Sequence, residues 1–217
     1  MDKVVVFGGT FNPIHFGHMR CAIEVSEALS VPRVVFMPAA TSPHKGPSDD
    51  VGADTRLLMA KLGVSGKSLF EVSEMEIKRG SVSYTVDTVN ELVAQGLAPT
   101  LIVGADQFNV LSTWVDYEQI LRLADIAVVP RPGIVLKSME EALPVEVAGG
   151  FCYDKKSASY INKEGRRITF VNSTLMGISS SDIRRRVSEG RSISYLVSSL
   201  VENFIKENRL YLQAEKV

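Results

Sequence analysis

Histidine, cysteine and tryptophan are scarce in this chain, and each scarcity narrows what the protein can be. Its 217 residues hold three histidines, two cysteines and one tryptophan. Cys21 and Cys152 lie far apart and match neither a metal-ligand spacing nor a disulfide framework, so a reducing cytoplasm is the simpler expectation. An excess of either charge is missing too. The formal net charge is −1, which supplies no overall basic field to recruit nucleic acid. No apolar run is long enough to cross a bilayer, so no membrane partner is expected. The first strand candidate begins almost at Met1, so no secretory leader is expected either. Internal repeats and low-complexity tracts are absent. So are the glycine signatures of the two standard phosphate loops, GxGxxG and GxxxxGK[ST].

What is present is an ordinary soluble composition, 45% hydrophobic and 23% charged, in a length that suits one domain with a sizeable core. Short apolar runs alternate with helical patterns. The strand candidates are Val4–Phe7, Val34–Met37, Leu69–Val72, Thr100–Val103, Ile126–Val129 and Ile168–Val171. Helix candidates lie near Gly17–Leu29, Asp54–Leu62, Thr85–Ala94, Tyr117–Leu123 and Ser180–Ser188. Val197, Leu200, Val201, Phe204 and Ile205 follow the spacing of one more amphipathic helix. This alternation predicts an α/β fold, a doubly wound and mainly parallel sheet with helices on both faces. Residues 1–217 read as one domain. Within it, 134–165 is the irregular part, expected as a peripheral insertion, and 178–217 is a C-terminal helical part.

The chemistry concentrates at residues 8–20. Gly8-Gly9 ends the first strand candidate, and His15 and His18 follow three residues apart at the start of a helix. Glycines let backbone N–H groups come close to a ligand. A helix N-terminus offers further N–H groups and a positive dipole end. Strand, glycine turn, histidine pair and helix together suit a nucleoside triphosphate. Zinc on His15, His18 and His44 is the weaker reading, because no cysteine or carboxylate completes a ligand spacing. After the second strand, Pro38–Lys45 is a proline-defined loop in which Lys45 brings a compact positive charge. Ile178-Ser179-Ser180 precedes a third helix, with Ser capping its N-terminus and Arg184 one turn in, suited to forking onto phosphate. In a doubly wound sheet these segments, with Gly104-Ala105-Asp106, all follow strands and line one cleft.

His15-Phe16-Gly17-His18 resembles the HxGH signature of the nucleotidyltransferase superfamily. Ile178–Arg184 resembles its ISSTxxR element, with Ser181 in place of the usual Thr. Ser83-Tyr84-Thr85-Val86-Asp87-Thr88 is similar to SYTxxT, and Gly104 to Trp114 is similar to GxDxxxxxxxW. Both belong to the bacterial nicotinate-nucleotide adenylyltransferases. Arg131-Pro132-Gly133, Tyr195-Leu196-Val197 and Leu210-Tyr211 resemble that family as well. The resemblance implies a Rossmann-like fold and a reaction of ATP with nicotinate mononucleotide, giving nicotinate adenine dinucleotide and pyrophosphate in NAD biosynthesis.

By the same resemblance, His15, His18, Lys45 and Arg184 are the catalytic residues, acting on the phosphates. Gly8, Gly9, Thr10, Phe11, Gly104, Asp106, Ile178, Ser179 and Ser180 join His15, His18 and Arg184 in binding ATP. Thr10, Phe11, Lys45, Thr85 and Trp114 hold the mononucleotide. The backbone amides of Ser112–Tyr117 and the Thr85 hydroxyl are the expected donors to its pyridine carboxylate. Mg²⁺ is expected to arrive on ATP, with no metal held by the protein and no other tightly bound cofactor. A homo-oligomer is compatible with the pattern. Two alternatives are another HxGH enzyme (a pantetheine-phosphate adenylyltransferase or a cytidylyltransferase) and a protein that binds nucleotide without turnover. The chain departs from the pattern at Asn12, where many superfamily members carry Asp, and at Ser198-Ser199, where proline is frequent.

Overall fold

A computed structural model describes residues 1–41 and 51–212. His44 and Lys45 fall outside the described residues. Eight strands form one sheet: β1 (Asp2–Gly9), β2 (Val34–Pro38), β3 (Phe70–Val72), β4 (Leu97–Gly104), β5 (Asp125–Val129), β6 (Phe151–Asp154), β7 (Ser159–Asn162) and β8 (Arg167–Phe170). Their order is β3-β2-β1-β4-β5-β8-β7-β6. The first six in that order run parallel, and β7 and β6 are added antiparallel. The expected doubly wound sheet is therefore present, with an antiparallel edge.

The alternation of β1 explains why helices cover both faces. Val5 and Phe7 point into one core with Phe36, while Val4 and Val6 point into the other with Met37. The first core is closed by α1 (Phe16–Leu29), α2 (Ala53–Val64), α9 (Ser180–Ser188) and α10 (Ser199–Glu207). The second is closed by α4 (Thr85–Ala94), α5 (Ala105–Phe108) and α6 (Tyr117–Leu123), with α7 (Met139–Ala142) and α8 (Val145–Ala148) beyond them. A short α3 (Met75–Arg79) leads into α4. β-Branched strands buried on both faces are what a parallel sheet requires. No helix among the described residues is long and apolar enough to cross a membrane.

Residues 134–165, read above as the irregular part, lie at one edge of the sheet and hold regular elements. They carry α7, α8, β6 and β7, and Met139, Ala142, Leu143 and Ala148 are buried in the second core. The hairpin of β6 and β7 extends the sheet from β8 through pairs such as Tyr160 with Ile168.

The chain runs outward from β1 through β2 to β3, then returns to place β4 on the other side of β1. Ligands in such sheets bind beyond the carboxyl ends of the strands flanking this reversal. Here those ends are Gly8-Gly9 and Gly104.

Candidate active site

The segment from β1 to α1 is held from three directions. Arg56 of α2 is 1% exposed, and its guanidinium donates to the Thr10 carbonyl at 2.8 Å and the Ala40 carbonyl at 2.9 Å. The α9 end supplies two more donors: Ser180 Oγ to the Pro13 carbonyl at 2.9 Å and Arg184 to the Asn12 carbonyl at 2.9 Å. The Tyr211 hydroxyl donates to Asn12 Oδ1 at 2.6 Å. The Leu196 carbonyl accepts the Phe16 N–H at 3.0 Å, so the Tyr195-Leu196-Val197 element serves to cap α1. Asn12 and Pro13 are joined by a cis peptide bond, and Phe11 has a φ of 50°.

This scaffold fixes the two histidines unequally. His15 is 3% exposed, and its pKa is lowered to about 3, first by burial and then by the Arg131 guanidinium. It is a neutral ring. His18 lies over it, with ring centres 3.6 Å apart and planes 23° apart. Phe7 and Phe11 meet His18 edge-on at 5.7 and 5.1 Å. The backbone N–H of His15 donates to His18 Nδ1 at 3.2 Å, the reciprocal contact that a glutamate makes in a capping box. With Nδ1 accepting, the ring hydrogen of His18 sits on Nε2. Gly17 lets the His15 ring pack closely against the start of α1. A Cβ there would lie 3.0 Å from His15 Nδ1 and 3.1 Å from Cε1.

Two cavities meet at this point. The larger, about 310 Å³, is lined by Gly8, Gly9, Thr10, Thr85, Gly104 and Trp114, among others. The smaller, about 40 Å³, is lined by His15, Gly17, His18, Ile178 and the strand-end segments Val129–Pro132 and Ser173–Met176. Phe7 and Arg131 line both.

Arg131, to which the motif reading gave no role, stands between the chambers. Its Nε is buried without a hydrogen-bond partner among the described residues, and Asp106 Oδ1 is 3.5 Å away. Gly104 makes that approach feasible, since a Cβ would fall 2.6 Å from both atoms.

Most of the expected residues therefore converge, but some are engaged differently. Ser179 Oγ accepts the Asp182 N–H and caps α9, so its side chain serves the helix. Arg184 spends donors on Asn12 and Ser181. The amides of Thr113, Trp114 and Tyr117 close their own turn on Val110, Leu111 and Trp114. These three of the Ser112–Tyr117 amides are engaged within the chain. The Trp114 indole N–H, by contrast, is buried without a partner among the described residues. Lys45 lies outside the described residues, as does His44. Among the described residues no group of three or more His, Cys, Asp or Glu could hold a metal ion.

Residues 6–186 match the cytidylyltransferase-like family. A protein of Citrifermentans bemidjiense named "Probable nicotinate-nucleotide adenylyltransferase" is 46% identical over 214 residues, 98% of this chain and 99% of that one. Two Plasmodium falciparum structures, of nicotinic acid mononucleotide adenylyltransferase complexed with APC and with NaAD, align with TM-scores of 0.68 and 0.69. They are 14% and 15% identical, and each alignment covers 97% of this chain and 98% of theirs.

Proposed function

The chain belongs to the nicotinate-nucleotide adenylyltransferases, and on that premise we propose how its residues divide the reaction. The enzyme transfers the adenylyl group of ATP to nicotinate mononucleotide, giving nicotinate adenine dinucleotide and pyrophosphate. The other HxGH activities and the non-catalytic alternative are set aside by the same relatives.

A 5′-phosphate oxygen of the acceptor forms the new bond to the α-phosphorus of ATP, and the bond to pyrophosphate breaks in line with it. The acceptor phosphate is already ionised, so no general base is needed. Positioning and charge stabilisation carry the rate.

In this reading the larger cavity takes the mononucleotide and the smaller marks where the triphosphate passes the histidines. His18 Nε2–H donates to a non-bridging oxygen of the α-phosphate as charge builds there. His15, neutral, holds the triphosphate beside it and keeps the stacked ring in place. Arg131, between the chambers, and Arg184 and Lys45 neutralise phosphate charge. Backbone groups from Gly8 to Phe11 hold both nucleotides. Gly104, Asp106 and the Ile178–Ser180 backbone hold adenosine. Thr85 and the Trp114 indole N–H serve the pyridine carboxylate. ATP enters as its magnesium complex, since small hard cations favour phosphate oxygens and water.

The observation that carries this reading is the junction of two chambers at Phe7 and Arg131, directly over the histidine pair. Coupled pyrophosphate release with MgATP and a panel of acceptor phosphates tests it. Turnover with nicotinate mononucleotide is expected. Turnover confined to phosphopantetheine or to another acceptor would overturn the assignment.

A further inference from the structure

One wall of the larger cavity contains a carboxylate that no motif explains. Glu76 lies on the short helix α3, lines the cavity and is 6% exposed. Burying an ionisable group in a mainly apolar wall is costly unless partners compensate. Here burial pushes its pKa up, while the hydroxyls of Thr88 and Ser83 and the Arg79 guanidinium pull it down.

The partners form a connected set. Thr88 Oγ1 donates to Glu76 Oε1 at 2.6 Å and accepts from Arg79 at 3.3 Å. Arg79 also pairs with Glu91 at 3.1 Å. On the other side the Ser83 hydroxyl lies close enough to the carboxylate to favour its charged form. Ser83 Oγ accepts the Ala40 N–H at 3.0 Å, and the Ser83 N–H donates to the Thr41 carbonyl at 2.9 Å. The Ala40 carbonyl is in turn held by Arg56, whose other arm holds Thr10.

One carboxylate thus joins three pieces of the cavity: the segment after β2, the first turns of α4 with Thr85, and, through Ala40 and Arg56, the glycine turn after β1. A stable apolar substitute would have filled the same volume with no desolvation cost. What the polar hub supplies is a fixed spacing between walls contributed by distant parts of the chain.

We propose that Glu76 is a positioning residue for the acceptor nucleotide, holding the Ala39–Thr41 segment and the Thr85 end of α4 at the separation the mononucleotide needs. This rests on the assignment of the larger cavity to the acceptor. It acts through Ser83 and Thr88 and touches no reacting atom.

The test is steady-state kinetics with both substrates varied, on the full chain, for Glu76→Gln, Ser83→Ala, Thr88→Val and Thr88→Ser. Gln keeps the size of Glu76 but turns one acceptor into a donor that faces a hydroxyl. The expected result is a rise of roughly tenfold or more in KM for nicotinate mononucleotide in the first three variants, the scale of one mispaired buried polar group. KM for ATP and kcat are expected to stay within about twofold, because only interactions outside the transition state are altered. Thr88→Ser keeps the hydroxyl and is expected to restore KM. Glu76→Gln with Ser83→Ala is expected to do no more than the worse single change, as members of one network do.

A KM for the acceptor that does not move in the folded variants overturns the proposal. So does an equal rise in both KM values, which marks a general loosening. If Glu76→Gln does not fold, Ser83→Ala decides by the same criterion. Wild-type protein that fails to adenylylate nicotinate mononucleotide overturns the assignment of the reaction itself, which separates the two failures.

Discussion

His15 and His18 stack with ring centres 3.6 Å apart, yet only one of them is placed to answer a change in substrate charge. His15 is buried and neutral, while His18 has its Nδ1 committed to the His15 backbone and stays half-buried in the wall of the smaller cavity. His18→Ala is expected to lower kcat by a factor on the order of a hundred or more, as for loss of a preorganised donor, with a much smaller change in KM. Saturating ATP and acceptor isolate kcat; a wild-type value would remove His18 from the chemistry.

The neutrality of His15 predicts a sign for stability against pH. Its folded pKa, about 3, lies below the ordinary imidazole value of 6.5. The native state therefore binds fewer protons than the unfolded state between those values. The stabilisation is fully present above pH 6.5 and is lost as pH falls towards 3, at about 1.4 kcal/mol per pH unit. Urea unfolding of wild type and His15→Gln from pH 7 to pH 4 reads this directly. The wild-type advantage should shrink with acidity, and parallel curves would refute the burial argument.

Gly17 sets local preference against site geometry. Alanine normally favours a helix by up to about 1 kcal/mol over glycine. At this position its Cβ would press on the His15 ring at 3.0 Å. Gly17→Ala is accordingly expected to leave the melting temperature within a few degrees of wild type and to cut kcat at least tenfold. A fully active variant would show that the ring can yield without consequence.

Arg56 is the fastening between two loops. Arg56→Met keeps the stem but leaves the Thr10 and Ala40 carbonyls without their donor. At about 1–3 kcal/mol for each abandoned buried group, a loss of roughly 2 to 6 kcal/mol is expected. Denaturant midpoints at unchanged slope measure it, and a shift below about 1 kcal/mol would mean water replaces the guanidinium.

Acceptor choice follows from donors. Nicotinate mononucleotide ends in a carboxylate that only accepts, whereas the nicotinamide analogue carries an amide with N–H groups of its own. A pocket offering the Trp114 indole N–H and the Thr85 hydroxyl mispairs with the amide nitrogen. We expect kcat/KM to favour the nicotinate form by at least about tenfold. Equal efficiency, measured side by side, would count against these two donors while leaving adenylyl transfer intact.

What the sequence reveals and conceals divides along physical lines. Strands such as Val4–Phe7 and Val34–Met37 are legible because burial on both faces demands unbroken apolar runs. The Ser179 cap and the convergence of Gly8, Gly104 and the histidines follow from local rules and from the strand ends. β6 and β7 escape notice because both are short and mostly half-exposed, so no apolar period marks them. Arg56 and Glu76 carry no local sequence signal, since their partners are backbone carbonyls and a hydroxyl from other segments. The amides of Thr113, Trp114 and Tyr117 looked available because nothing in their residue types announces the turn that engages them.

The histidine-bearing loop has a consequence for synthesis on the ribosome. Residues 8–18 are made well before three of the groups that hold Asn12 and Pro13, which follow their partners by 167 positions for Ser180, 172 for Arg184 and 199 for Tyr211. A nascent chain can assemble β1, α1 and β2 early and still carry Asn12 and Pro13 with their hydrogen bonds unmade. Substrate-binding capacity then arises late in translation, as an event distinct from the collapse of the sheet.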